Sequence, residues 1–137
     1  MVFDIIETME TCTDPVHIFA ASHATFKPGN IGQLVEIDGN LVCVLSDGTR
    51  PFGVIGDYKL TSYEGFDPND IVRIWPQRMV FRTDEFDTKP EYSIGNAMYV
   101  SENGLLTSES PRENAMLVAR LMMPPTAEKG YLEVLWL

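Results

Sequence analysis

The chain has 137 residues, 45% of them hydrophobic and 22% charged, the balance of a globular domain able to bury a core without disulfide staples. Its 20 acidic residues against 10 basic ones give a net charge of −10. The widest basic grouping, Arg73, Arg78 and Arg82, is spread among acids, so neither a nucleic acid nor an anionic membrane surface is an expected partner.

Residues 1–15 read as an N-terminal arm. Val2, Ile5, Ile6 and Met9 recur at helical spacing, but Phe3 falls off that stripe and no cap is evident, so a short amphipathic helix and an extended segment both stay open. The opening Met-Val-Phe-Asp-Ile-Ile-Glu is acidic where a secretory signal is basic, which makes cytoplasmic synthesis the expectation. No apolar run approaches the roughly 18 residues of a membrane helix.

From Pro15 onward the pattern is strand and turn. Val16–Ala20 is a candidate strand, and Lys27-Pro28-Gly29-Asn30 turns into a hairpin whose strands are Leu34–Ile37 and Leu41–Leu45. Asp38-Gly39 between them suits a type I′ turn, which needs positive φ at both central positions. Leu41, Cys43 and Leu45 alternate with Val42 and Val44. A strand apolar on both faces is expected to be covered on both, which places the core here. Ser46-Asp47-Gly48-Thr49 turns the chain again, and Pro51 interrupts pairing before Val54–Gly56. Residues 57–70 form a loop rich in Gly, Asp, Tyr and Pro. Ile71–Trp75 and Met79–Thr83 suggest a second hairpin around Pro76-Gln77, and Asp84–Ser93 another loop.

Ala97–Val100 and Leu105–Thr107 flank Glu102-Asn103-Gly104, a further hairpin signal. Glu113–Met122 has good helix propensity, yet Met116–Met122 also fits a buried strand. Strand is preferred, because Pro124-Pro125 ends the segment and Lys129-Gly130 opens a partner at Tyr131–Leu135. About eight to ten short strands, with turn signals about every 8–12 residues, predict an all-β fold. Residues 16–137 would form one β-barrel or β-sandwich domain. No long internal repeat is visible. Asp38-Gly39-Asn40-Leu41-Val42 and Glu102-Asn103-Gly104-Leu105-Leu106 share a turn-then-apolar order that common hairpin chemistry explains.

Residues able to carry chemistry are few. His17 and His23 lack any metal-ligand spacing with Cys12, Cys43 or an acid, and two cysteines make no disulfide framework. Asp67-Pro68-Asn69-Asp70 resembles the start of a calcium loop, but Val72 stands where Gly is needed and Arg78 where the bidentate Glu is needed. Asp84, Glu85 and Asp87 form an acidic loop cluster, the residue type that hydrolysis uses in pairs and that solvated loops carry routinely. Tyr58, Tyr63, Phe66 and Trp75 could stack on a sugar or close the end of a β core. Catalytic, cofactor-binding and metal-binding residues are accordingly none.

The segments Phe26-Lys27-Pro28-Gly29-Asn30-Ile31-Gly32, then Leu34-Val35-Glu36-Ile37-Asp38-Gly39, then Leu45-Ser46-Asp47-Gly48-Thr49-Arg50-Pro51-Phe52-Gly53-Val54, and the later Ile94-Gly95-Asn96-Ala97-Met98-Tyr99-Val100 continuing to Ser108, followed by an apolar strand and the closing Val134-Leu135-Trp136, resemble the decoration (cement, or head-stabilising) proteins of tailed bacteriophages. The likeness covers roughly residues 24–137 and rests on turn order. It implies a non-enzymatic virion protein on the capsid surface, bridging subunits of the major capsid protein, itself a dimer or trimer, without cofactors. Phe3, Ile5, Ile6, Trp136 and Leu137 are then candidate interface residues, since apolar ends need something to bury them. Packing on the same subunit would serve equally. A carbohydrate-binding β-sandwich module is the alternative reading, and a small β-fold hydrolase using His17 or His23 the third.

Overall fold

The computed structural model describes residues 3–8, 15–21, 26–56, 71–76 and 78–137. Eleven strands run through them: β1 (Phe3–Thr8), β2 (Val16–Phe19), β3 (Ile31–Ile37), β4 (Asn40–Leu45), β5 (Gly53–Ile55), β6 (Ile71–Trp75), β7 (Met79–Thr83), β8 (Ala97–Val100), β9 (Leu106–Thr107), β10 (Ala119–Met123) and β11 (Leu132–Trp136). All pair antiparallel in two sheets, of order β2-β6-β5-β3-β4 and β1-β7-β11-β10-β8-β9. The fold is all-β, as the spacing of turn signals predicts. Residues 113–118 are turn and irregular backbone, and strand begins at Ala119, so the ambiguous segment holds no helix and is strand only in its second part.

Each sheet curls until its ends meet. Ala20, just beyond β2, bridges Cys43 of β4, and the Ala21 N–H donates to Cys43 O at 3.0 Å. Phe86, just beyond β7, bridges Leu106 of β9, and the Asp87 N–H donates to Leu106 O at 2.8 Å. Each half of the chain is therefore a partly closed five-stranded barrel. They are called here the first barrel (β2 to β6) and the second (β7 to β11), with β1 laid along β7 as an extra strand.

The two barrels have the same topology. The order β2-β6-β5-β3-β4 becomes β7-β11-β10-β8-β9 when every strand is advanced by five. Equivalent backbone bonds recur at a constant spacing of 66 residues (Gly29 to Gly95). Gly29 N–H donates to Ile55 O at 2.8 Å and Gly95 N–H to Leu121 O at 2.7 Å. Ile55 N–H donates to Asn30 O at 2.8 Å and Leu121 N–H to Asn96 O at 2.9 Å. The turn itself is duplicated: Asn30 Oδ1 accepts from Lys27 N–H at 2.8 Å, and Asn96 Oδ1 from Ser93 N–H at 2.7 Å. Both turns hold glycine in the left-handed region, with φ of 96° and 87°, where a Cβ would be strained. The sequence shows no long repeat because side-chain identity survives mainly in this Gly-Asn pair. Backbone ladders accept almost any side chain, whereas the turn does not.

Two core clusters follow. The first barrel encloses Ile18, Ala20, Ala21, Phe26, Cys43, Ile55, Val72 and Ile74, all small or medium except Phe26. The second encloses Met79, Phe81, Met98, Leu106, Leu121, Leu132, Val134 and Trp136 among others, and draws Ile31 and Val54 from the first barrel into the same cluster. Alternation along β5 explains this sharing. Val54 faces the second core, Ile55 the first, and all three β5 residues are buried.

Three expectations need correction. The strand covered on both faces is β5; in β4, Cys43 is buried but Leu41 is exposed, because β4 is an edge strand whose far end overhangs the barrel. Ile71–Trp75 and Met79–Thr83 do not form a hairpin: β6 pairs with β2 and β5, β7 with β1 and β11. Pro76-Gln77 supplies no residue suited to positive φ, which a tight hairpin requires, and the two strands belong to different barrels. The absence of an internal repeat in the sequence does not extend to the fold.

Candidate functional site

The five terminal residues separate into two groups. Phe3 is buried against Phe81, with ring centroids 5.8 Å apart, and Trp136 lies within the second core. Ile5 is half-buried on that cluster. These three are packed on their own chain, which is one of the two outcomes open from the sequence. Ile6 and Leu137 point outward, 45% and 48% exposed. The register between β1 and β7 shifts between Ile5 and Glu7. Plain alternation along β1, with Phe3 and Ile5 turned inward and Asp4 and Ile6 outward, puts Ile6 in solvent.

The other candidates do not converge. Among the described residues no three His, Cys, Asp or Glu side chains group as a metal site would require. His17 lies on β2 opposite Arg73 of β6. Cys43 is a free, buried thiol, and burial pushes its pKa up to about 12. That protonated state suits a packing role rather than a nucleophile. Asp87 accepts from the Lys89 N–H at 3.1 Å, and its backbone carbonyl accepts the Tyr92 hydroxyl. Burial, aided by the Asp87 charge, raises the Tyr92 pKa. Glu85 approaches Asn30 Nδ2 at 3.5 Å, so this acid belongs to the contact between barrels. Trp75 is half-buried and packs on the second core. His23, Cys12, Tyr58, Tyr63, Phe66 and the Asp67–Asp70 stretch lie outside the described residues.

The outer wall of the first barrel, where Ile31, Val54 and Trp75 lie side by side on neighbouring strands, covers the core of the second. Strand directions identify the ends near and far from this junction. β3 starts at the junction: the Ile31 N–H donates to Gly104 O at 2.9 Å. It runs outward to the Asp38-Gly39 turn, whose φ values of 50° and 80° are those of the predicted I′ turn. β8 starts at the opposite free end and runs inward to Gly104. A Cβ on Gly104 would lie 2.5 Å from Leu45 Cδ1, and one on Gly29 would lie 2.3 Å from Thr83 Oγ1. Arg112 Nη2 adds a bond to Asp47 O at 2.7 Å. The Asp47 carboxylate, bonded by the Thr49 hydroxyl and N–H, is held below its ordinary pKa.

Some of the apolar side chains left outside gather on two surfaces away from the junction. At the first barrel's end a groove of about 470 Å³ is lined by Phe19, Ala20, Ala21, Ile37, Leu41 and Val42, with Asp38 and Asn40 at its rim. Phe19 and Leu41 are each 58% exposed. At the second barrel's end Ile94 is 76% exposed beside the Gly95-Asn96 turn, and Met122 is exposed nearby on β10. Sequence reasoning missed both surfaces. The available signal was Phe19 following the inward-facing Ile18, and Leu41 beginning an edge strand.

Comparison with protein-family models, with curated proteins and with solved structures finds no match to this chain.

Proposed function

We propose that this chain is a structural virion protein that binds the outer surface of an assembled phage capsid and stabilises it by bridging subunits of the major capsid protein. On this reading it is made in the host cytoplasm, ends on the capsid surface, associates with itself, and uses no cofactor. The turn-by-turn resemblance to capsid decoration proteins motivates the reading. One observation carries it: a body with filled cores leaves large apolar side chains exposed along its outside, Ile6 on β1 and Leu137 after β11 among them. Such side chains mark protein contact surfaces, and a bridge needs two of them. Many modest contacts then add up across a shell by avidity.

The test is co-sedimentation of the purified chain with empty heads. The chain is expected in the head pellet, saturating at a fixed ratio to capsid subunits. Ile6→Glu and Leu137→Glu should reduce the bound fraction several-fold while leaving the unfolding midpoint within about 0.5 kcal/mol of wild type, because both residues are exposed. Deleting the arm is a poorer probe, since it also strips Phe3 from Phe81. A chain that stays in the supernatant at every ratio would refute the capsid reading.

A further inference from the structure

We infer that a second copy of this chain docks on the groove at the free end of the first barrel, seating its Ile94-Gly95-Asn96 turn against Phe19, Ile37 and Leu41, so that copies add head to tail. The inference goes beyond the capsid reading and does not depend on it.

It continues an interface already present inside the chain. At the junction the first barrel presents its Gly29-Asn30-Ile31 turn and Leu45, and the second receives them on Thr83, Glu85 and Gly104. The repeat carries the presenting surface to Gly95-Asn96-Ala97 and Ser108, with Ile94 in the place of Pro28. Pairing in the two hairpins, where Gln33–Val44 and Leu34–Cys43 correspond to Tyr99–Thr107 and Val100–Leu106, puts Leu41 in the place of Gly104. The closing bridges put Phe19 in the place of Glu85. The groove is thus the first barrel's version of the surface that the second barrel uses to hold its neighbour. The transferred presenting surface is the exposed Ile94 end.

The substitutions on the two surfaces compensate one another. Inside the chain a small residue, Gly104, meets the large side chain of Leu45 and the backbone of Ile31. Between copies a large residue, Leu41, would meet the small Ser108 in the place of Leu45. Inside the chain the Glu85 carboxylate faces the polar edge of Asn30. Between copies Phe19 would face the duplicated Asn96 turn, with the exposed Ile94 in the place of Pro28 beside it. The contact joins two different surfaces, so it propagates as a chain or closes as a ring.

The test is sedimentation velocity on the full chain over a wide concentration range. Wild type should form a concentration-dependent ladder or a closed ring. Leu41→Glu, Phe19→Lys and Ile94→Glu should each weaken association by roughly a hundredfold, since a charge would be buried without a partner. Unfolding curves should match wild type, because all three residues are exposed. Mixing Leu41→Glu with Ile94→Glu, each monomeric alone, leaves one intact groove and one intact turn, and should yield dimers and nothing larger. A monomeric wild type, variants that still associate, or a mixture that stays monomeric would each overturn the inference. Binding to heads by a strictly monomeric chain would overturn it while sparing the capsid reading. Self-association without head binding would do the reverse.

Discussion

The two barrels follow one backbone plan with different contents, and the difference locates the stability of the protein. Where the first barrel has Gly32, Cys43 and Ala20, the second has Met98, Leu106 and Phe86. The second is also flanked by β1 and takes in Ile31 and Val54 from its neighbour. The same hydrogen-bond ladder thus encloses a lean interior in one half and a heavily packed one in the other. Fold and stability are separable here: turns and pairing set the plan, while buried apolar area sets how strongly each half is held.

The largest expected effect contrasts two residues at the same register position. Phe81 opposes Val134, and Val16 opposes Ile74. Phe81→Ala should cost roughly 3–5 kcal/mol, because the ring is fully buried and Phe3 packs against it. Val16→Ala, at a half-open edge, should cost less than about 1 kcal/mol. Urea titration of both variants checks this, and equal losses would show that the second barrel is not the stronger half.

The twin glycines come next. Gly29→Ala adds a methyl in the left-handed region against Thr83, whereas at Gly95 nothing lies within 4 Å. Strain alone should cost about 1–2 kcal/mol at either site. Overpacking should add about 1–3 kcal/mol at Gly29 only. If thermal unfolding places both variants equally far below wild type, the junction is looser than these contacts imply.

The smallest effect concerns Cys43, the counterpart of Leu106. Its thiol pKa rises from 9.0 to about 12 through burial. Below pH 9 it is protonated in folded and unfolded chains alike, and its contribution is complete. Between there and about 12 only the unfolded thiol ionises, so stability falls as pH rises. The stability advantage of wild type over Cys43→Ala, followed by urea midpoints, should shrink across that window and stay flat below it. Tyr92, whose pKa burial also raises, acts with the same sign in both proteins.

Much of the fold was legible because turns are chemically demanding. Asp38-Gly39 and Gly104 could be read directly, since few residues tolerate the backbone that they adopt. The pairing of β6 and β7 with distant strands was not legible, because two β-branched runs side by side carry no label for their partners. The duplication was hidden for a related reason: ladder bonds such as Ile55 N–H to Asn30 O constrain no side chain. Terminal aromatics were ambiguous in themselves, since Phe3 and Trp136 suit a core as well as an interface. The exposed Phe19 and Leu41 became visible only when the curling of the sheet showed which strand ends overhang.

Neighbouring positions in β5 serve opposite interiors, Val54 one and Ile55 the other. A slip of that short strand by a single residue would exchange their sides and damage both halves at once. Misaligned pairing therefore has no refuge in a half-correct state, and three residues at the middle of the chain proofread the assembly of the whole.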